Sequence, residues 1–241
     1  MSSQLITELY QDSANPNHKL GEKYIDEWGR VFRYVQAGGT DLVTGNLMQE
    51  PAEVTNYRSM VVQAASAIGS TNIAVTLGGT AVTASQFESG DLIVESSTGI
   101  GQAFKIVSHD VQTGTTGTCN FVVDRPVAIA LTTSSQVSVR KNSYDGVIQY
   151  PTTPTGGPVG IAIVVISDGN FGWIQSAGDC AALYDTGADF AADESAMIPS
   201  RTVAGSVTPD LETIAAGIQI GWAKEQVSVD ATMGFVHLTI D

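Results

Sequence analysis

From residue 72 to residue 140 the chain is a series of short runs bearing Val, Ile and Thr, each cut off by a turn. The runs are Asn72–Leu77, Ala81–Thr83, Asp91–Glu95, Gly101–Ser108, Cys119–Val123 and Gln136–Arg140. Between them stand Gly78-Gly79, Ser89-Gly90, Ser97-Thr98-Gly99 and the stretch from Thr113 to Thr118. β-Branched side chains are stiff in a helix and pack well on a pleated sheet. Glycine supplies the positive φ that tight turns need. Strands of this length at this spacing predict a sandwich or a small barrel, not a helical fold.

The flanks carry different signals. Residues 1–20 read as an arm, because Gln11–Asn17 is polar and turn-rich with little to bury. Tyr24, Trp28, Phe32 and Tyr34 then bring four aromatics close together. A reversal is expected around Asp26–Arg30, followed by a strand over Val31–Val35 and a short strand over Asp41–Met48 broken at Gly45. Tyr150–Pro158 holds three prolines and two glycines and reads as a linker. Beyond it, strands are expected at Gly160–Ile166, Phe171–Gln175, Cys180–Tyr184, Met197-Ile198, Ile218–Ala223 and Gly234–Ile240, with a short helix near Pro209–Ala215. The expected architecture is mainly β: an extended N-terminal arm plus two small β-barrel or β-sandwich domains. The expected divisions are 1–60 for the arm and aromatic hairpin, 61–150 for a middle domain and 151–241 for a C-terminal domain.

Charge narrows the function classes. The 241 residues include 25 Asp and Glu against 11 Lys and Arg, a net charge of −14. Residues 1–60 and 61–160 contribute −3 and −2, whereas residues 161–241 contribute −9. Such a chain lacks the basic surplus by which nucleic-acid binders release counterions, so no nucleic-acid partner is expected. It has no apolar run of about 18 residues, so no membrane partner is expected either. The N-terminus has no basic cluster leading into an apolar core and does not read as a secretory signal. Cys119 and Cys180 sit in no metal or redox spacing and read as buried free thiols. A calcium site among Asp185, Asp189, Asp193 and Glu194 lacks the spacing of a 12-residue loop; a solvated acidic face is the ordinary reading.

No assembled chemistry emerges from the remaining residues. His18, His109 and His237 lie on separate segments, and no nucleophile elbow, zinc helix or phosphate loop is present. Gly99-Ile100-Gly101 and Gly114–Gly117 read as hairpin turns. The Asp193/Glu194 pair is the kind that any acidic chain contains. The expectation is therefore no enzyme, with no catalytic residue, cofactor or metal. Trp173 and Trp222 fall inside predicted strands and are expected in the core. Trp28 lies beside the polar arm, which makes Tyr24, Trp28, Arg30, Phe32, Arg33 and Tyr34 the candidate interface with another chain.

Three stretches carry a resemblance. The first runs from His18-Lys19-Leu20-Gly21 through Trp28-Gly29-Arg30-Val31-Phe32-Arg33-Tyr34-Val35-Gln36-Ala37-Gly38, followed by Thr44-Gly45-Asn46-Leu47. The second is Ser89-Gly90-Asp91-Leu92 with Gly99-Ile100-Gly101-Gln102 and Phe104-Lys105-Ile106. The third is Phe171–Gly178 followed by Val203–Val207. In this order they resemble the capsid decoration, or cement, proteins of tailed bacteriophages. The resemblance implies a β-rich homo-oligomer, often a trimer, bound to the major capsid protein on the outer surface of the virion. It brings no catalytic residues. Two alternatives stand beside it: a tail-fibre or adhesin-like protein that binds host glycans with Trp173 as a sugar platform, and a depolymerase using Asp193 or Glu194.

Overall fold

The computed structural model describes residues 7–185, 195–210, 218–225 and 231–241, and within them the chain is mainly β. The chain divides into two compact units, one continuous over Glu53–Asn142 and one joining Met1–Ala52 to Ser143–Asp241. The strands in chain order are β1 (Lys23–Ile25), β2 (Val31–Ala37), β3 (Leu47–Gln49), β4 (Met60–Val61), β5 (Asn72–Thr76), β6 (Asp91–Ser96), β7 (Ala103–His109), β8 (Thr118–Val123) and β9 (Gln136–Arg140). There follow β10 (Asp145–Gln149), β11 (Pro158–Ala162), β12 (Phe171–Leu183), β13 (Ala196–Pro199), β14 (Val207–Pro209), β15 (Gly221–Ala223) and β16 (Met233–Thr239).

The continuous unit is a six-stranded sheet in the order β4-β9-β6-β7-β8-β5. A bridge between Val62 and Val75 brings its two ends together, so the sheet closes on itself. Alternation along the strands sends Ile73, Val75, Leu92, Phe104, Phe121 and Val137 inward to a single core. The expected run at Ala81–Thr83 makes only one bridge, from Val82 to Gln112. The glycine-rich segments are turns as expected, with Gly99 and Gly101 at φ +85° and +89° in the β6–β7 hairpin.

The discontinuous unit is a ten-stranded sheet, β1-β2-β10-β3-β11-β12-β16-β15-β13-β14, in which β2 also pairs with β12. Strands β2, β10, β3, β11 and β12 therefore form a closed ring. Val35, Ala37, Met48, Val147, Ala162 and Ile174 fill one cluster of this unit. The 13-residue β12 serves three partners: its first half, Phe171–Ala177, pairs with β2 on one side and, at Ile174 and Gln175, with β11 on the other, and Ala177–Leu183 pairs with β16. A register shift between Gln175 and Ala177, followed by Gly178 at φ +84°, lets one strand turn between them. Two separate strands were expected here. The β16 side covers a second cluster built on Cys180, Tyr184, Met197, Ile220, Val236 and Leu238.

The expected domain divisions need correcting. The middle unit starts at 53 and ends at 142, in place of 61 and 150. The arm and hairpin of 1–60 are no separate region, because β2 is hydrogen-bonded to β10 and β12 of the C-terminal segment. Tyr150–Pro158 is a loop within one sheet: β10 on its near side and β11 on its far side both pair with β3. The helix expected near Pro209–Ala215 falls mostly on 211–215, outside the described residues. Cys119 and Cys180 are buried free thiols, as read; burial pushes them up to about 11 and about 12 respectively.

Candidate interface at the hairpin end

The β1–β2 hairpin is built around one carboxylate. Asp26 accepts hydrogen bonds from the Trp28 and Arg30 backbone N–H groups, both at 2.9 Å, and from Arg30 Nε at 2.6 Å. An aspartate that bonds the backbone two residues on is a turn-forming device, and Gly29 supplies the φ of +80° that completes the reversal. Burial pushes the Asp26 carboxyl up, but the bonds from Arg30 and Trp28 outweigh it and hold the group below the ordinary value of 3.8. The result is a fixed tip from which Trp28 projects, 79% exposed. Ile25 and Tyr10 are also more than half exposed.

The six candidate interface residues do not share one surface. Phe32 and Tyr34 are buried within the chain, in a cluster with Trp173 and Leu9. Tyr34 meets Trp173 edge-on at 5.1 Å and stacks on Phe171 at 6.2 Å, while its hydroxyl accepts from Asn17 N–H at 3.0 Å. Tyr24 is half-buried and stacks on Phe32 at 6.0 Å. The physical reason is plain. β2 and β12 present Phe32, Tyr34, Phe171 and Trp173 on one face, and the arm folds back to cover it with Leu9 and Leu20. A bridge between Ser13 and Phe171 and the capture of Ser167 N–H and Asn170 Nδ2 by Asp12 hold it there. The described part of the arm is thus docked on its own sheet, where a free arm was expected.

His18 fastens the same region, with Nε2 at 2.9 Å from Glu8 and Nδ1 at 3.2 Å from Glu22. Arg33 is engaged within its own chain: Nε and one terminal nitrogen grip Asp241 at 2.6 and 2.7 Å, and the other donates to Gly21 O at 2.9 Å. The Arg33 fork holds the Asp241 carboxyl below its ordinary 3.8, against desolvation. In the unfolded chain that carboxyl returns to about its ordinary value, so below it the unfolded state takes up the proton first and stability is lost as pH falls further. Replacing Asp241 with asparagine is expected to cost about 1 kcal/mol at neutral pH. It should also flatten the fall in the larger unit's melting midpoint between about pH 5 and pH 2, read by thermal scans of the two proteins.

The tryptophans divide. Trp173 is 1% exposed, in the core as expected, and so offers no platform for a sugar. Trp222 was also expected in the core but is 36% exposed, because it is the outward residue of a three-residue strand and lies flat on His237 at 4.1 Å. His109 is satisfied, accepting from Phe87 N–H at Nε2 and facing Asp110 O at Nδ1. Asp185 is buried and accepts from the Ser200 and Thr202 hydroxyls. Asp189, Asp193 and Glu194 lie outside the described residues, and among the described residues no group of three His, Cys, Asp or Glu side chains could hold a metal ion.

Sequence reasoning missed Asp26 as the clamp of the hairpin, although an aspartate three residues before a glycine is the available signal. It also missed a row across three strands, Asp179–His237–Trp222, which only strand register brings together. No protein-family model, curated protein sequence or solved structure matches the chain.

Proposed function

We propose that the chain is a structural virion protein that binds the outer surface of a tailed-phage capsid, bridging neighbouring capsomers as a homo-oligomer. The observation that carries the reading is Trp28, a large aromatic 79% exposed on a turn fixed by Asp26. A ring carried on a turn already fixed requires no ordering of that turn when it docks, and tryptophan is over-represented among residues that dominate protein interfaces. The ordered motifs of the hairpin, the β6–β7 region and β12 support the capsid as the partner. Ile25, at the end of β1 in the same hairpin, is also exposed.

The test is a point substitution, since deletion of residues 1–50 would strip β1, β2 and β3 from the sheet. Trp28→Ala is expected to weaken co-sedimentation with capsids lacking this protein at least tenfold, about the effect of losing one interface anchor. Ile68→Ala, on the other unit, should bind as the parent does. Undiminished binding by Trp28→Ala, or only a handful of copies per particle in place of a lattice-wide number, would overturn the reading.

A further inference from the structure

Beside the hairpin, a groove of about 690 Å³ runs over the outward face of β12 and β16. Its construction follows from strand register. On β16 the outward positions are Met233, Phe235, His237 and Thr239, the last three of which line the groove. Asp179 stands directly across from His237, and Gly178 from Leu238. Gly178 lines the groove with backbone, since it has no side chain, and sits against the Arg30 backbone. Trp28 lines the groove from the hairpin tip. Two rings are left open to solvent there, Trp28 at 79% and Phe235 at 53%.

The polar groups among these rings are ordered and mutually neutralised. Asp179 accepts from Lys224 Nζ at 2.7 Å and faces His237 Nδ1 at 2.7 Å. These partners, Lys224 first, hold its carboxyl below the ordinary 3.8. Trp222 stacks against the His237 ring and fixes its plane. Arg30 is paired with Asp26, and Asp241 with Arg33. A chain of net charge −14 thus carries here a patch in which each acid is matched by a base.

That balance selects the ligand. A free cation or anion would meet a like charge as readily as an opposite one. A wholly apolar ligand would cover Asp179 and Lys224 without replacing their water, which is unfavourable. Remaining capacity is mixed. Lys224 has further protons to donate, Asp179 has further lone pairs, and the Thr239 hydroxyl does both. His237 Nε2 has no partner among the described residues. A ligand that both donates and accepts along its edge, and presents C–H groups to aromatic rings on its face, satisfies all of these. We propose that this groove is a binding site for a neutral saccharide, a pyranose ring lying between Trp28 and Phe235 with its hydroxyls on Asp179, Lys224 and His237.

The inference stands apart from the capsid reading, although both use Trp28, so it is tested on the free protein. Maltohexaose, cellohexaose and chitohexaose are titrated separately against the full chain, with ligand-observed NMR and tryptophan fluorescence as readouts. A hexasaccharide of hyaluronate serves as the charged comparison. At least one neutral oligomer is expected to bind saturably at about millimolar affinity, the range of shallow open sites. Trp28→Ala and Phe235→Ala should each weaken it at least tenfold. Both side chains are exposed, so an unchanged melting curve separates lost binding from lost folding. No saturable response to any neutral oligomer, preference for hyaluronate, or binding indifferent to both substitutions would overturn the proposal. Sugar binding by a protein that fails to dock on capsids would remove the capsid reading and leave the groove; docking without sugar binding would do the reverse.

Discussion

Trp173→Ala is expected to lower the stability of the discontinuous unit by about 4 kcal/mol, the middle of the range for deleting a buried aromatic. Trp173 is 1% exposed and is the largest fully buried side chain described. It meets Tyr34, His18 and Tyr24 edge-on at 5.1, 5.1 and 6.3 Å. Its indole N–H has no hydrogen-bond partner among the described residues, so the loss is one of packing and apolar burial. Trp173→Phe should therefore recover much of the stability, because no donor needs replacing. Truncation would also take away the surface on which the arm rests, loosening Leu9 and residues 11–18 together. Two-step chemical denaturation checks this: the transition of the Glu53–Asn142 unit should stay in place while the other moves to lower denaturant. A shift under 1 kcal/mol would mean that the site collapses without cost, contrary to the close packing of its neighbours.

A second large effect is expected at Gly221. Its φ is +157°, and a Cβ there would lie 1.9 Å from His237 O and 2.8 Å from His237 C. Those atoms belong to the backbone of the neighbouring strand and cannot swing aside. Gly221→Ala must part β15 from β16, which breaks the pairings of Gly221 with Leu238 and Ala223 with Val236. Ile220 and Ala223, both 0% exposed, would leave the core, and Trp222 would leave His237. The expected cost is at least about 3 kcal/mol, the class of strain combined with lost core packing. Gly169→Ala is the natural comparison. Gly169 also has a positive φ, +76°, but a Cβ there meets nothing within 4 Å. It should cost only about 1 kcal/mol, the conformational term alone. Equal losses at the two positions would show that the backbone collision is relieved cheaply.

The strands were legible wherever alternation or β-branching was strong and a turn closed each end. Gln136–Arg140 was expected at its observed bounds, and the hairpin around Asp26–Arg30 was expected where it lies. Partners far along the chain were not legible. Ser176–Asp179 looks like a turn in sequence, yet it runs inside β12 because 31–37 pairs with one end of that strand and 233–239 with the other. No strand was expected over 145–149, and β10 exists because it lies parallel beside β2. Of the candidate interface, sequence located the aromatic group but not what it packs on. Phe32 and Tyr34 alternate with Arg33, so one face of β2 was bound to be apolar. Whether its own arm or a foreign chain covered that face depended on Leu9, twenty-three residues earlier. Trp28 stood out because it falls in the turn, where no neighbouring strand can bury it.

The interrupted layout of the larger unit also governs the order in which the protein can come into being during synthesis. The ribosome delivers β2 and β3 first, but their partners β10, β11 and β12 begin only at residue 145. The 53–142 segment has its closing strands in hand much sooner, and its contacts are more local in sequence, which favours early folding. Until the remainder emerges, Phe32 and Tyr34 have no Trp173 to pack against and wait as exposed apolar surface. The nascent chain thus passes through a stage with one finished barrel and one sticky, incomplete hairpin, the stage at which holding by a chaperone would matter most.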